Sequence, residues 1–147
     1  MHRRKIFTAA LRIAGLSPLA FMRPEGAAAA EFSRVVYHLA DLDKVGFVLG
    51  NIRNHYDGMG GPDHVTIALV VHGPALKAFH LAAAVADVAK HTADLRESGL
   101  QLNACINTMR AQNVTLKELL PGFIVAEKGA VVRLAELQSQ GYAYLRP

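Results

Sequence analysis

His64-Val65-Thr66-Ile67-Ala68-Leu69-Val70-Val71-His72, closed by Gly73-Pro74, is a run of β-branched and aliphatic residues with no polar alternation between its two histidines. An unalternating run of this length, bounded by turn residues, predicts a strand buried on both faces, the kind found at the centre of a parallel sheet. Upstream, Asp57-Gly58-Met59-Gly60-Gly61-Pro62 is a turn cluster, and Gly73-Pro74 stops the strand at its other end. A parallel neighbour needs a crossover, so helices are expected on either side of this run.

They are where the periodicity puts them. Ser33 to Leu39 reads as a first strand, followed by Asp41 to Tyr56, where Leu42, Val45, Leu49 and Ile52 recur at helical spacing and Asp41 or Asp43 suits the cap. Past Pro74, Ala75 to Ser98 is Ala-rich and helical in pattern, in one piece or two, until Gly99 ends it. Leu100 to Ala104 predicts a third strand, Cys105 to Gln112 a short helix, and Leu116 to Leu120 one further helical turn. Phe123 to Ala126 predicts a fourth strand, Glu127 to Gln140 the last helix and Tyr142 to Leu145 a closing strand. Strands alternating with helices predict an α/β fold: a three-layer α/β/α sandwich on a mainly parallel sheet of about five strands. At 147 residues one core suffices, so residues 31–147 are read as a single domain.

Residues 1–30 read as an export signal rather than structure. Met1 to Lys5 is basic, Ile6 to Met22 is largely apolar, and Ala27 to Ala30 is a small-residue run before Glu31. Arg3-Arg4-Lys5-Ile6-Phe7 resembles a twin-arginine signal, while Arg12 inside the apolar stretch leaves an ordinary secretory leader open. Either implies a periplasmic protein; a leader that does not function would leave it cytoplasmic. No uninterrupted apolar run reaches the roughly 18 to 20 residues of a membrane span. The formal charge of +4 arises within this segment, and acidic and basic residues cancel beyond it. Without a basic face on the folded part, nucleic acid is not expected as a partner.

In a parallel sheet, reactive groups collect beyond the C-terminal strand ends, where loops converge and helix N-termini direct their amides. His38 lies near the end of the first strand, His72 at the end of the second and Cys105 after the third. Cys105 is the only cysteine, placed where a helix start favours thiolate, the nucleophilic form. His72 and His38 are candidates to take its proton or steady the anion. The alternative is that Cys105 is a small apolar residue buried in the core. The six histidines beyond the leader lack the close spacing of metal ligands, so no metal and no cofactor are expected.

Asn51-x-x-Asn54, Val70-Val71-His72-Gly73-Pro74, Ala104-Cys105-x-Asn107-Thr108-Met109, Leu119-Leu120-Pro121-Gly122 and Leu137-Gln138-x-x-Gly141-Tyr142-Ala143-Tyr144 occur in that order. In these motifs, from about Ser33 to Pro147, the chain resembles the DsrE/DsrF group of small sulfur-metabolism proteins. The resemblance implies a three-layer domain that assembles into trimers or hexamers, with Cys105 as a persulfide carrier that exchanges sulfur with a donor or acceptor protein. It makes Asn107, Gly73, Asn51 and Asn54 candidates for supporting roles. Relay members proper are cytoplasmic and work in larger hetero-assemblies, so the leader implies an exported, single-gene branch. Two functions are therefore in view: a sulfur carrier or sulfurtransferase, or a non-enzymatic oligomeric module that binds a small ligand or metal and whose cysteine is incidental.

Overall fold

The computed structural model describes residues 33–147. The export-signal reading and the domain start at residue 31 lie outside them. Five strands are described: β1 (Ser33–Leu39), β2 (Val65–Val71), β3 (Gln101–Cys105), β4 (Phe123–Ala126) and β5 (Ala143–Leu145). The helices are α1 (Val45–Gly58), α2 (Ala86–Glu97), α3 (Ile106–Ala111) and α4 (Ala130–Ser139). All strand pairs are parallel, in the order β4-β3-β2-β1-β5.

The run that opened the sequence reading is the central strand. Ile67, Leu69 and Val71 face one core and Ala68 and Val70 the other, each with no solvent exposure. Chain order explains which helix lies on which face. The steps β1 to β2, β2 to β3 and β3 to β4 all move the same way across the sheet, so right-handed crossovers bring their helices to one side. The step from β4 to β5 runs back past the whole sheet, and the same handedness places α4 on the opposite side. Accordingly, Val48, Leu49, Ile52 and Leu95 of α1 and α2, with Met109 of α3, share a cluster with Val35, Tyr37 and Leu102. Ala130, Leu134 and Leu137 of α4 pack on Val36, Ala68, Val70 and Cys105.

One buried polar group fixes α4 to the sheet. Asn103 is fully buried; its Nδ2 donates to the Gln101 carbonyl at 3.1 Å, and its Oδ1 accepts from Arg133 Nε at 2.9 Å. Burying an amide without partners is costly, so this pair both satisfies Asn103 and sets how α4 sits over β3.

The helical stretch expected from Ala75 to Ser98 divides. Gly73–Phe79 is a 3₁₀ segment, and α2 begins only at Ala86. Between them the backbone pairs sideways: Leu81 N–H donates to the Glu118 carbonyl, Leu120 N–H to the Phe79 carbonyl (both 2.8 Å), and His80 bridges Leu119. These tertiary bonds outweigh the helix preference of the alanines. Asp41 stands at the N-cap of a 3₁₀ turn, Leu42–Lys44, but its side chain makes no capping bond and pairs with Arg146 at 3.5 Å. The last helix starts at Ala130 rather than Glu127, because the chain turns through Gly129, whose amide bonds the Ala126 carbonyl. Among the described residues, no helix is long and apolar enough to cross a membrane.

Candidate functional site

Side chains alternate across a strand. Val36 of β1, Val70 of β2 and Cys105 of β3 all lie in the α4-side cluster, so His38 and His72, each two residues beyond its valine, point to that same face at the C-terminal end. The register of β2 with β3 ends at the pair Val71 and Ala104, and His72 and Cys105 are the next residues along the two segments. The three expected residues thus share one face and one end of the sheet.

The two imidazoles meet directly, with Nε2 to Nε2 at 2.5 Å. Their ring centroids are 4.8 Å apart and their planes within 19°. Parallel rings in face contact cannot bring nitrogens this close, so the rings meet end to end, as an in-plane N–H···N bond requires. Tyr144 on β5 extends the chain, its hydroxyl 2.6 Å from His38 Nδ1. Burial pushes the His38 pKa down, helped by His72 and Arg146 against an opposing pull from Asp41, to about 4. Burial and Arg146 lower that of His72 too. Both rings are therefore neutral at neutral pH.

This depression predicts an acid-sensitive fold. His38 binds its proton near its ordinary value of 6.5 when unfolded but only at about 4 when folded, so the unfolded state gains protons first as the pH falls. The stabilisation it carries is complete above about 6.5 and is lost between there and about 4. Melting temperatures should fall across that window in the native protein and fall less in His38→Gln; equal slopes would contradict the assignment.

Cys105 precedes α3 at its N-cap and is 5% exposed. The Ala130 amide, first in α4, donates to its sulfur at 3.3 Å. Burial pushes the thiol pKa up, but the Thr108 amide, the Ala130 amide, the Thr108 hydroxyl and the Asn107 amide outweigh it, leaving a value below the ordinary one. The sulfur therefore sits where the N-termini of two helices converge, an environment that favours the anion. Neither imidazole is among its hydrogen-bond partners.

Gly73 and Asn107 support this arrangement. Gly73 N–H donates to Thr108 Oγ1 at 2.9 Å, and Gln112 Nε2 donates to the Gly73 carbonyl at 2.8 Å. Because the Thr108 oxygen accepts from Gly73, its proton is left for the sulfur. The Asn107 side chain lies against Gly129. An open cleft of about 350 Å³ is lined by Ala126, Gly129, Lys128, Arg133 and Glu136, without Cys105 in its wall. Asn51 and Asn54 are elsewhere: they line a separate recess of about 430 Å³ with Tyr37, His55 and Arg146. Among the described residues, no group of three His, Cys, Asp or Glu side chains is placed to hold a metal ion.

Tyr144 and Ala130 escaped the sequence reading. Tyr144 stands in a motif quoted for the resemblance, but a short closing strand does not reveal which edge it joins. Ala130 contributes only its backbone, which no side-chain pattern signals.

The search of curated proteins returns no match. Among solved structures, the chain is similar to a protein of unknown function, MTH1491 from Methanobacterium thermoautotrophicum. The identity is 26% and the TM-score 0.69, over 78% of this chain and 99% of that one. The ychN protein from E. coli shares the fold at 10% identity and a TM-score of 0.55, with the same coverage. The family comparison matches residues 23–147 to the DsrE/DsrF-like family. With the five-stranded parallel sheet and its single rim cysteine, that match carries the conclusion that this chain belongs to the DsrE/DsrF-like family.

Proposed function

We propose that the protein is a sulfur carrier or sulfurtransferase that holds sulfane sulfur as a persulfide on Cys105. The observation that carries this reading is the position of the thiol at the N-cap of α3 with the Ala130 amide of α4 donating to its sulfur at 3.3 Å; Thr108 and Asn107 add to the lowering of its pKa. Membership of the family supports a relay-type role. In the step proposed, the Cys105 thiolate attacks the outer sulfur of a persulfide, polysulfide or thiosulfate donor. A new S–S bond forms at Cys105, the donor's own bond to that sulfur breaks, and the donor leaves with the bonding pair as thiolate, shortened polysulfide or sulfite. The amides that stabilise the thiolate also suit the persulfide anion. An acceptor protein would then take the sulfur by the same exchange.

A homo-oligomer, trimeric or hexameric, is part of this proposal, as is export to the periplasm. The apolar Val131, Val132 and Ile124 are exposed on the α4 and β4 side, which suits burial between copies. Native mass spectrometry of the purified protein reads both chemistry and assembly. After incubation with thiosulfate, polysulfide or a persulfide donor, each chain should gain one sulfur atom, and Cys105→Ala should gain none. No increment with any donor rejects the carrier, and a monomer rejects the assembly.

The thiol's low exposure favours a second reading, a binding module in which Cys105 only fills the core. It predicts slow alkylation of the native protein and small-ligand or metal retention that survives Cys105→Ser but falls when His72 is replaced.

A further inference from the structure

We propose that Tyr144 is a positioning residue that locks the tautomers of both rim imidazoles, so that His72 keeps its proton on Nδ1 and has no bare ring nitrogen with which to act as a base toward Cys105. The inference rests on the carrier reading for its purpose and on the Tyr144–His38–His72 chain for its geometry.

Two Nε2 atoms at 2.5 Å share a single proton, because one ring must donate and the other accept. The chain can therefore run in only two directions. In one, the Tyr144 hydroxyl donates to His38 Nδ1, His38 donates from Nε2 to His72 Nε2, and the proton of His72 is left on Nδ1. In the other, every donor and acceptor is exchanged, and His72 has a bare Nδ1. The bond at the outer end selects between them. A phenol is a good donor and a poor acceptor, whereas an imidazole nitrogen is the stronger base, so the 2.6 Å contact between the Tyr144 hydroxyl and His38 Nδ1 favours donation by Tyr144. His72 then carries Nδ1–H as its one free ring nitrogen, one residue past the last pair of β2 with β3.

The charged surroundings keep the pair from ionising. Arg146, after β5, opposes a charge on either ring, and Asp41, after β1, favours one. These two form an ion pair at 3.5 Å, so their fields partly cancel and burial dominates. From β3, Cys105 is the titratable group on the same face of the sheet. With its pKa lowered by burial and its proton on Nδ1, His72 has no bare ring nitrogen left to take the thiol's proton. Proton uptake from the thiol is left to solvent, and no proton is stored on the rings.

Two-bond proton–nitrogen NMR of the ring nitrogens in the full chain, free of any sulfur donor, tests this. The expected result at pH 7 is protonated Nδ1 on His72 and protonated Nε2 on His38, with Tyr144→Phe shifting His72 toward the Nε2–H tautomer while the backbone amide spectrum stays native. Protonated Nε2 on His72 in the native protein overturns the proposal, as does an unchanged His72 tautomer in a folded Tyr144→Phe. Should that variant fail to fold, the native spectrum alone decides, because the two chain directions give opposite patterns. No sulfur donor is used, so failure of the lock and failure of persulfide formation are separate results.

Discussion

Phe79→Ala is expected to remove about 3–5 kcal/mol of folding stability, the usual cost of deleting a fully buried aromatic ring. Phe79 has no solvent exposure, and its ring meets Phe123 edge to face with centroids 5.3 Å apart. Its backbone carbonyl also takes the Leu120 amide, so the cavity would open where three segments are tied together. Collapse is hindered because the neighbours are held by those backbone bonds, and the cost should lie high in the range. Domains of this size are stable by about 5–15 kcal/mol, so such a loss leaves little margin. The urea midpoint, with the denaturant slope unchanged, measures it. A loss below about 1 kcal/mol would mean that the site relaxes and that Phe79 is not the anchor described. The effect reaches the rim as well, since Phe79 ends the 3₁₀ segment that starts at Gly73, whose amide is bonded to Thr108.

Gly129→Ala is the second large expected effect, and it joins stability to the sulfur. Gly129 has φ +90° and ψ 164°, a region essentially restricted to glycine, where any side chain costs on the order of 1–3 kcal/mol. A Cβ there would also stand 2.9 Å from Asn107 Nδ2. The strain falls one residue before Ala130, whose amide bonds the Cys105 sulfur. Any shift that relieves it moves that amide or displaces Asn107. The variant should unfold at lower denaturant, and its thiol should need a higher pH for half-maximal alkylation by a small reagent. A variant that loses stability with an unchanged alkylation profile would show that the Ala130 amide does not tune the thiol.

The sheet was legible because burial dictates strand composition. An unalternating apolar run such as Val65 to Val71 has no other economical place, and the Gly-Pro and Pro-Gly pairs mark where strands begin and end. The convergence of His38, His72 and Cys105 was legible for the same reason, since alternation and parallel pairing leave little freedom in where strand ends point. What escaped depends on contacts distant in sequence. The Ala-rich stretch after Pro74 looked helical by propensity, yet His80 and Leu81 take partners near Glu118 and Leu119 that no local pattern encodes. Asp41 takes the cap position, yet its side chain pairs with Arg146, which lies next to it only because β5 adds to β1. The same addition brings Tyr144 to His38. Asn51 and Asn54 were grouped with the cysteine by resemblance, although α1 carries them to a different recess.

β5 is joined to the sheet through three residue pairs along one side only, and all three of its residues are exposed. Fraying of such a strand requires a small fraction of the free energy of global unfolding. Each excursion strips the phenol from His38 and the guanidinium from Asp41 while the other four strands stay intact. The direction of the imidazole pair thus follows a breathing motion at the margin of the sheet, and whatever clamps that margin acts on the sulfur chemistry from a distance.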